Sequence, residues 1–198
     1  MRILAITNQK GGVGKTTTCV NLAASLAALG KRVLLIDLDP QGNATMSSGV
    51  DKRELPLSVY DVLLGSAGVA EARVRSHWGE EAGRQKVPTY DVLGANRDLA
   101  GAEVELVNLE QREMRLKQAI AEVNNEYDIV LIDCPPSLSM LTLISLDARE
   151  ASETLLAMLM VAADWESIEA AMTLEISLTL PIDEVTAFMA PVDCSTAV

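Results

Sequence analysis

The chain has 198 residues, 49% of them hydrophobic and 22% charged, with a formal net charge of −12. That balance excludes disorder over most of the length, and three scattered cysteines (Cys19, Cys134, Cys194) exclude a disulfide scaffold and suit a reducing compartment. The charge is uneven: residues 1–143 carry 15 Lys/Arg against 18 Asp/Glu, whereas residues 144–198 carry Arg149 alone against ten acids, a poor surface for nucleic acid.

In chain order, strands alternate with helices. Arg2–Thr7 is a short apolar strand and Asn8–Gly14 a glycine-rich loop. Lys15–Leu29 reads as a helix closed by Gly30. Arg32–Asp37 (RVLLID) is a continuous apolar run of the buried parallel type. Leu38–Asp51 is expected to be a polar loop and Leu57–Leu64 a short helix, with an ill-defined stretch following to Pro88. Tyr90–Ala95 predicts a strand. Leu99–Asn124 predicts one long amphipathic helix, because Ala102, Leu106, Leu109, Leu116, Ile120 and Val123 fall on one face. Tyr127–Asp133 (YDIVLID) is a further apolar strand that ends in aspartate. The expected fold class is α/β, a mostly parallel sheet with helices on both faces, whose ligands sit at the carboxyl ends of the strands. There is no run of 18 consecutive apolar residues and no secretory-signal pattern at the start, so no membrane span and a cytoplasmic location are expected.

The glycine-rich loop carries the chemistry. Gly14-Lys15-Thr16 ends a phosphate-binding loop placed between a strand and a helix. Glycines (Gly11, Gly12, Gly14) let backbone N–H groups approach phosphate oxygens, and the following helix points its positive end at them. Lys15 can reach β- and γ-phosphates, and Thr16 can offer its hydroxyl to Mg²⁺. The usual pattern has glycine at position 9. This chain has Gln9 and an additional lysine, Lys10, before the paired glycines.

Two acidic groups follow the other apolar strands. Asp133 ends YDIVLID and reads as the carboxylate that holds the waters of a phosphate-bound Mg²⁺. Asp39, two residues beyond RVLLID, can orient an attacking water, and Asp37 can support either role. The alternative is that these aspartates cap turns before proline and glycine.

KGGVGKTT, DLDPQGNAT and YDIVLIDCPPSLS resemble the ParA/Soj family of chromosome and plasmid partition ATPases, within the MinD-like deviant-Walker group of P-loop NTPases. The likeness runs from Met1 to about Leu143. It implies that ATP and Mg²⁺ are the ligands and that the nucleotide loop is Lys10, Gly11, Gly12, Val13, Gly14, Lys15, Thr16 and Thr17. Lys10 matches the signature lysine that reaches a partner's nucleotide, and Lys15 the P-loop lysine. Thr16 would bind Mg²⁺ and Thr17 the α-phosphate. Asp39 matches the aspartate that positions the hydrolytic water, and Asp133 the Walker B aspartate. The resemblance further implies a homodimer formed on ATP, non-specific DNA binding, and a ParB-type centromere-binding partner that triggers hydrolysis.

From residue 144 the family pattern stops. Residues 1–143 are expected to form the ATPase core. The acidic segment 144–198 stands where the family has its final strands and helices, either as a truncated or frame-shifted replacement or as a divergent tail. In it, Leu155–Ala163 (LLAMLMVAA) can form a strand or buried helix, its methionines filling core. A binding module without turnover, and a ParA-like ATPase placing another cargo, are the competing functions. His77 is expected at the surface and Cys19 in the core. Cys134 lacks metal-ligand spacing. Trp78 and Trp165 have no basic neighbours for base stacking, and residues 166–180 lack the basic character of a membrane-binding helix.

Overall fold

A computed structural model describes residues 1–8, 10–77, 88–107 and 109–136. Residues 144–198, with Leu155–Ala163, Trp165 and Cys194, and also Trp78, lie outside the described residues.

Five strands form one sheet: β1 (Arg2–Ile6), β2 (Val33–Asp37), β3 (Val74–Arg75), β4 (Asp91–Leu93) and β5 (Ile129–Asp133), in the order β1-β5-β2-β4-β3. All pairs are parallel except β3–β4. β2 and β5 are buried at every position, as their unbroken apolar sequences require. Their alternating side chains feed two cores. Leu34, Ile36, Val130 and Ile132 join a cluster with the helices between β2 and β5, including Leu63, Leu106, Leu116 and Ile120. The other face is covered by α1 (Lys15–Ala28), which packs on β2 and β5 and buries Cys19, Leu22, Ala23 and Leu26 along one stripe.

α1 stops as expected. Gly30 has φ 79°; its N–H donates to the Ala27 carbonyl and that of Lys31 to the Leu26 carbonyl, a Schellman closure. The short helix expected near 57–64 is α3 (Val59–Leu64), started by a capping box in which the Ser58 N–H donates to Asp61 Oδ2 at 2.8 Å.

Three expectations are corrected. The polar loop 38–51 contains a helix, α2 (Asn43–Ser47). Gly42 at its start has no capping side chain. The Asp37 carboxylate, reaching from the end of β2, accepts the Thr45 N–H instead, a cap supplied by a residue outside the local pattern. The stretch left undefined before Pro88 contains α4 (Val69–Ala72) and the edge strand β3. The single helix expected over 99–124 is two, α5 (Leu99–Leu106) and α6 (Arg115–Glu122), joined through a 3₁₀ turn at Arg112–Met114. No glycine or proline marks the break. Gln111 takes a left-handed φ of 51° there, while α5 packs on α3 and α6 packs on both α3 and α4. The expected face survives the break: Ala102, Leu106, Leu116, Ile120 and Val123 are buried and Leu109 packs against them.

The turn after α2 is a tight point. Gly49 has φ +77°, and a Cβ there would lie 1.9 Å from the His77 carbonyl oxygen. The His77 N–H donates to the Ser48 carbonyl at 3.0 Å, so the two backbones cannot separate without losing that bond. Gly49→Ala is expected to destabilise the chain by about 2 kcal/mol, read as a lowered urea midpoint at unchanged slope. His77 itself is exposed, as expected.

Candidate nucleotide and metal site

The carboxyl ends of β1, β2 and β5 bring three loops together. β5 lies between the other two, and the register places Asp133 beside both Ile6 and Asp37. The loop after β1 runs directly into α1, so Lys15 and Thr16 occupy the first turn of the helix.

In that loop, Gly12 and Gly14 take left-handed φ values of 75° and 84°. A Cβ at Gly11 or Gly12 would meet nothing within 4 Å, so these backbones line open space. The Lys10 N–H donates to Asn8 Oδ1 at 2.9 Å, and the Lys10 carbonyl accepts from Lys15 Nζ at 3.2 Å. Asn8 is buried; it shapes the loop from below and was not singled out by sequence. The Lys10 side chain is exposed, Val13 is half-buried and Thr17 exposed.

Thr16 Oγ1 donates to Asp133 Oδ2 at 2.8 Å. Asp133 is fully buried, and its other oxygen, Oδ1, has no hydrogen-bond partner among the described residues. Burial, and then the neighbouring Asp37 charge, push the Asp133 carboxyl up to about 7 against the pull of the Thr16 hydroxyl. An orphaned buried carboxylate oxygen beside a threonine hydroxyl is a donor pair suited to a hard divalent cation. Among the described residues no group of three or more His, Cys, Asp or Glu could hold a metal ion. The Thr16 hydroxyl and the one Asp133 carboxylate are donors of the kind Mg²⁺ uses, since it takes one or two protein carboxylates and fills its shell with water and phosphate.

Asp37 is placed differently. Its Oδ2 accepts both the N–H and the hydroxyl of Thr45, at 2.8 and 2.7 Å, and its Oδ1 accepts the Asp39 N–H at 3.1 Å. Both oxygens are engaged within its own loop. Burial still raises its carboxyl to about 6, with the Thr45 bonds opposing. Thr45 also accepts the Ala95 N–H at 2.9 Å, tying this loop to the end of β4. Asp39 is half-buried, and its Oδ1 accepts the Gln41 N–H at 2.8 Å. The sequence assigns no role to Thr45 or to Asn8; the signal for Thr45 is its place at the end of DLDPQGNAT. Cys19 and Cys134 are both buried thiols, and neither forms a disulfide among the described residues. No helix among the described residues is long and apolar enough to cross a membrane.

Comparison with known proteins agrees with this geometry. A family profile described as an AAA domain matches residues 1–163. The sporulation initiation inhibitor protein Soj of Bacillus subtilis is 50% identical over 150 residues, 76% of this chain and 56% of Soj. The chromosome partitioning protein ParA of Caulobacter vibrioides is 46% identical over 153 residues, 76% of this chain and 54% of that protein. A crystal structure of cobyrinic acid a,c-diamide synthase from Mycobacterium smegmatis, with bound ADP and magnesium, is 48% identical with a TM-score of 0.69. The match covers 75% of this chain and 57% of that one. The chain thus spans about half the length of the curated relatives it matches. Matched by the AAA-domain profile over residues 1–163 and 46–50% identical to Soj and ParA proteins over the matched part, the chain belongs to the ParA/Soj family of P-loop ATPases.

Proposed function

We propose that residues 1–143 form the ATP-binding core of a chromosome or plasmid partition ATPase. ATP would switch it to a dimer, and a ParB-type partner would trigger hydrolysis. The observation that carries this reading is the Thr16–Asp133 pair beneath the glycine loop, with one carboxylate oxygen unpaired among the described residues. The names of the relatives, chromosome partitioning proteins among them, supply the cargo.

The residues divide the work. Backbone N–H groups of residues 11–14 and the first turn of α1 bind phosphate, with Thr17 toward the α-phosphate. Lys15 exchanges the Lys10 carbonyl for β- and γ-phosphate oxygens. Thr16 and Asp133 would hold Mg²⁺, with Asp37 supporting that set through its loop. The chemistry supplied by bound Mg²⁺ is neutralisation of charge on the phosphate oxygens. Asp39 orients the attacking water. Lys10, on an exposed stem, reaches the nucleotide of a second copy. The acidic segment 144–198 disfavours the DNA binding common in the family.

Two variants of the full 198-residue chain test this reading. Asp39→Ala is expected to slow ATP hydrolysis about tenfold with Mg·ATP affinity retained. Light scattering is expected to show an ATP-dependent doubling of molar mass for the wild-type chain and none for Lys10→Ala, with ATP binding by the monomer intact. Wild-type turnover in the Asp39 variant, or an intact dimer in the Lys10 variant, would remove that residue from its role.

A further inference from the structure

Asp39 stands on a loop whose conformation depends on a residue outside every motif above. Lys52 is half-buried in the Asp51–Glu54 turn, which is closed by the Glu54 N–H on the Asp51 carbonyl at 3.0 Å and the Arg53 N–H on Asp51 Oδ1 at 2.9 Å. Its ammonium donates to the carbonyl of Gln41. Its stem packs over Gly42: a Cβ on that glycine would lie 2.7 Å from Lys52 Cδ and 2.7 Å from the Ala95 carbonyl oxygen. The space above residue 42 is therefore filled by the lysine, and Gly42 holds φ +61°.

The bonds of residue 41 connect this lysine to the carboxylate. The Gln41 carbonyl takes Lys52, and the Gln41 N–H is donated to Asp39 Oδ1 at 2.8 Å. The Gly42 N–H closes the turn on the Asp39 carbonyl at 2.8 Å. Asp37 fixes the start of the loop through the Asp39 N–H, and Thr45 fixes its far end through Asp37 and Ala95. Between those anchors, among the described contacts, residue 41 is tied outside the loop by Lys52 alone. We propose that Lys52 is a positioning residue for Asp39, holding the Gln41 peptide so that the Asp39 carboxylate keeps one orientation. The role in turnover rests on the reading of Asp39 as the water-orienting group. The anchoring of the loop does not.

The experiment uses Lys52→Met and Lys52→Arg in the full chain. Backbone amide exchange by NMR is the first readout. Lys52→Met is expected to speed exchange at Gln41 and Gly42 about tenfold and leave the Thr45 and Ala95 amides unchanged, with Lys52→Arg restoring protection. Steady-state hydrolysis is the second. Lys52→Met is expected to lower kcat several-fold at unchanged KM, and to cause no further loss in an Asp39→Ala background. Unchanged exchange at Gln41 overturns the proposal, as does an equal loss in the Asp39→Ala background. Faster exchange together with normal turnover in Asp39→Ala upholds the anchor and instead overturns the role given to Asp39.

Discussion

Lys15→Gln is expected to weaken Mg·ATP binding by about 100-fold while the thermal midpoint of the unliganded chain stays within about 1 °C of wild type. The affinity term follows from charge. A lysine donating to phosphate oxygens contributes about 1.5–3 kcal/mol per bond, so losing the cation at the β- and γ-phosphates removes about 3 kcal/mol or two decades. Glutamine keeps a donor but is one bond shorter and lacks the charge. The stability term follows from the contacts. In the free chain Lys15 Nζ donates to the Lys10 carbonyl at 3.2 Å on an exposed loop, and surface bonds of that kind contribute little. Calorimetric titration with Mg·ATP beside thermal melts measures both. Unchanged affinity would place the phosphates elsewhere, and a collapsed midpoint would make Lys15 a structural residue.

Asp133→Asn is expected to act in opposite directions on stability and on metal-dependent binding. Asp133 and Asp37 sit side by side in the register of β5 and β2, both fully buried. Their carboxyls are raised to about 7 and about 6, burial being the larger cause in each. A carboxyl with a raised folded pKa binds its proton more tightly folded than unfolded. Stability is therefore highest near pH 4 and is lost as pH rises toward 7. The unliganded wild-type chain should lose stability over that window. Asparagine removes one of the two charges and still accepts the Thr16 hydroxyl. The variant should melt about 2–4 °C higher at pH 7.5, equivalent to about 1 kcal/mol, and show a flatter pH profile. With Mg²⁺ the sign reverses. The variant lacks the anion that the orphaned Oδ1 offers, so Mg²⁺-dependent nucleotide affinity should fall about 10–100-fold. Melts between pH 5 and 8, with and without chelator, separate the two effects. A lower unliganded midpoint at pH 7.5 would mean that the carboxylate is a structural acceptor and not a group kept at a cost for a cation.

Much of this site was legible in the sequence because its signals are local. Gly12 and Gly14 do what glycine-rich loops require, taking positive φ where the chain turns into α1. The runs VLLID and IVLID are buried throughout because a strand covered on both faces must be apolar on both. With Asp37 and Asp133 ending those strands, adjacency in a parallel sheet brought them together at the same edge. The apolar spacing over 102–123 identified the buried face correctly, since periodicity reports which side chains leave water.

What local pattern could not carry was decided by contacts distant in sequence. Periodicity does not encode continuity, so it gave no sign of the break between α5 and α6 at Gln111, which has neither glycine nor proline; both halves pack on α3, and α6 turns to reach α4 as well. α2 was hidden because its first turn is satisfied by Asp37, a residue of the preceding strand, rather than by a cap of its own. Lys52 carried no motif, and DLDPQGNAT gave no sign that its final Thr45 would act, because each works on a backbone group contributed by another segment, Gln41 for one and Ala95 for the other. Local pattern was enough for the glycine-rich loop, the buried strands and the acids at their ends, all of which depend on residues within one turn or one strand. Which of those acids has an oxygen without a partner among the described residues depends on the donors that the fold brings within hydrogen-bond reach, which no local pattern contains. Thr45 and Asp39 engage both oxygens of Asp37, whereas Thr16 engages only one of Asp133.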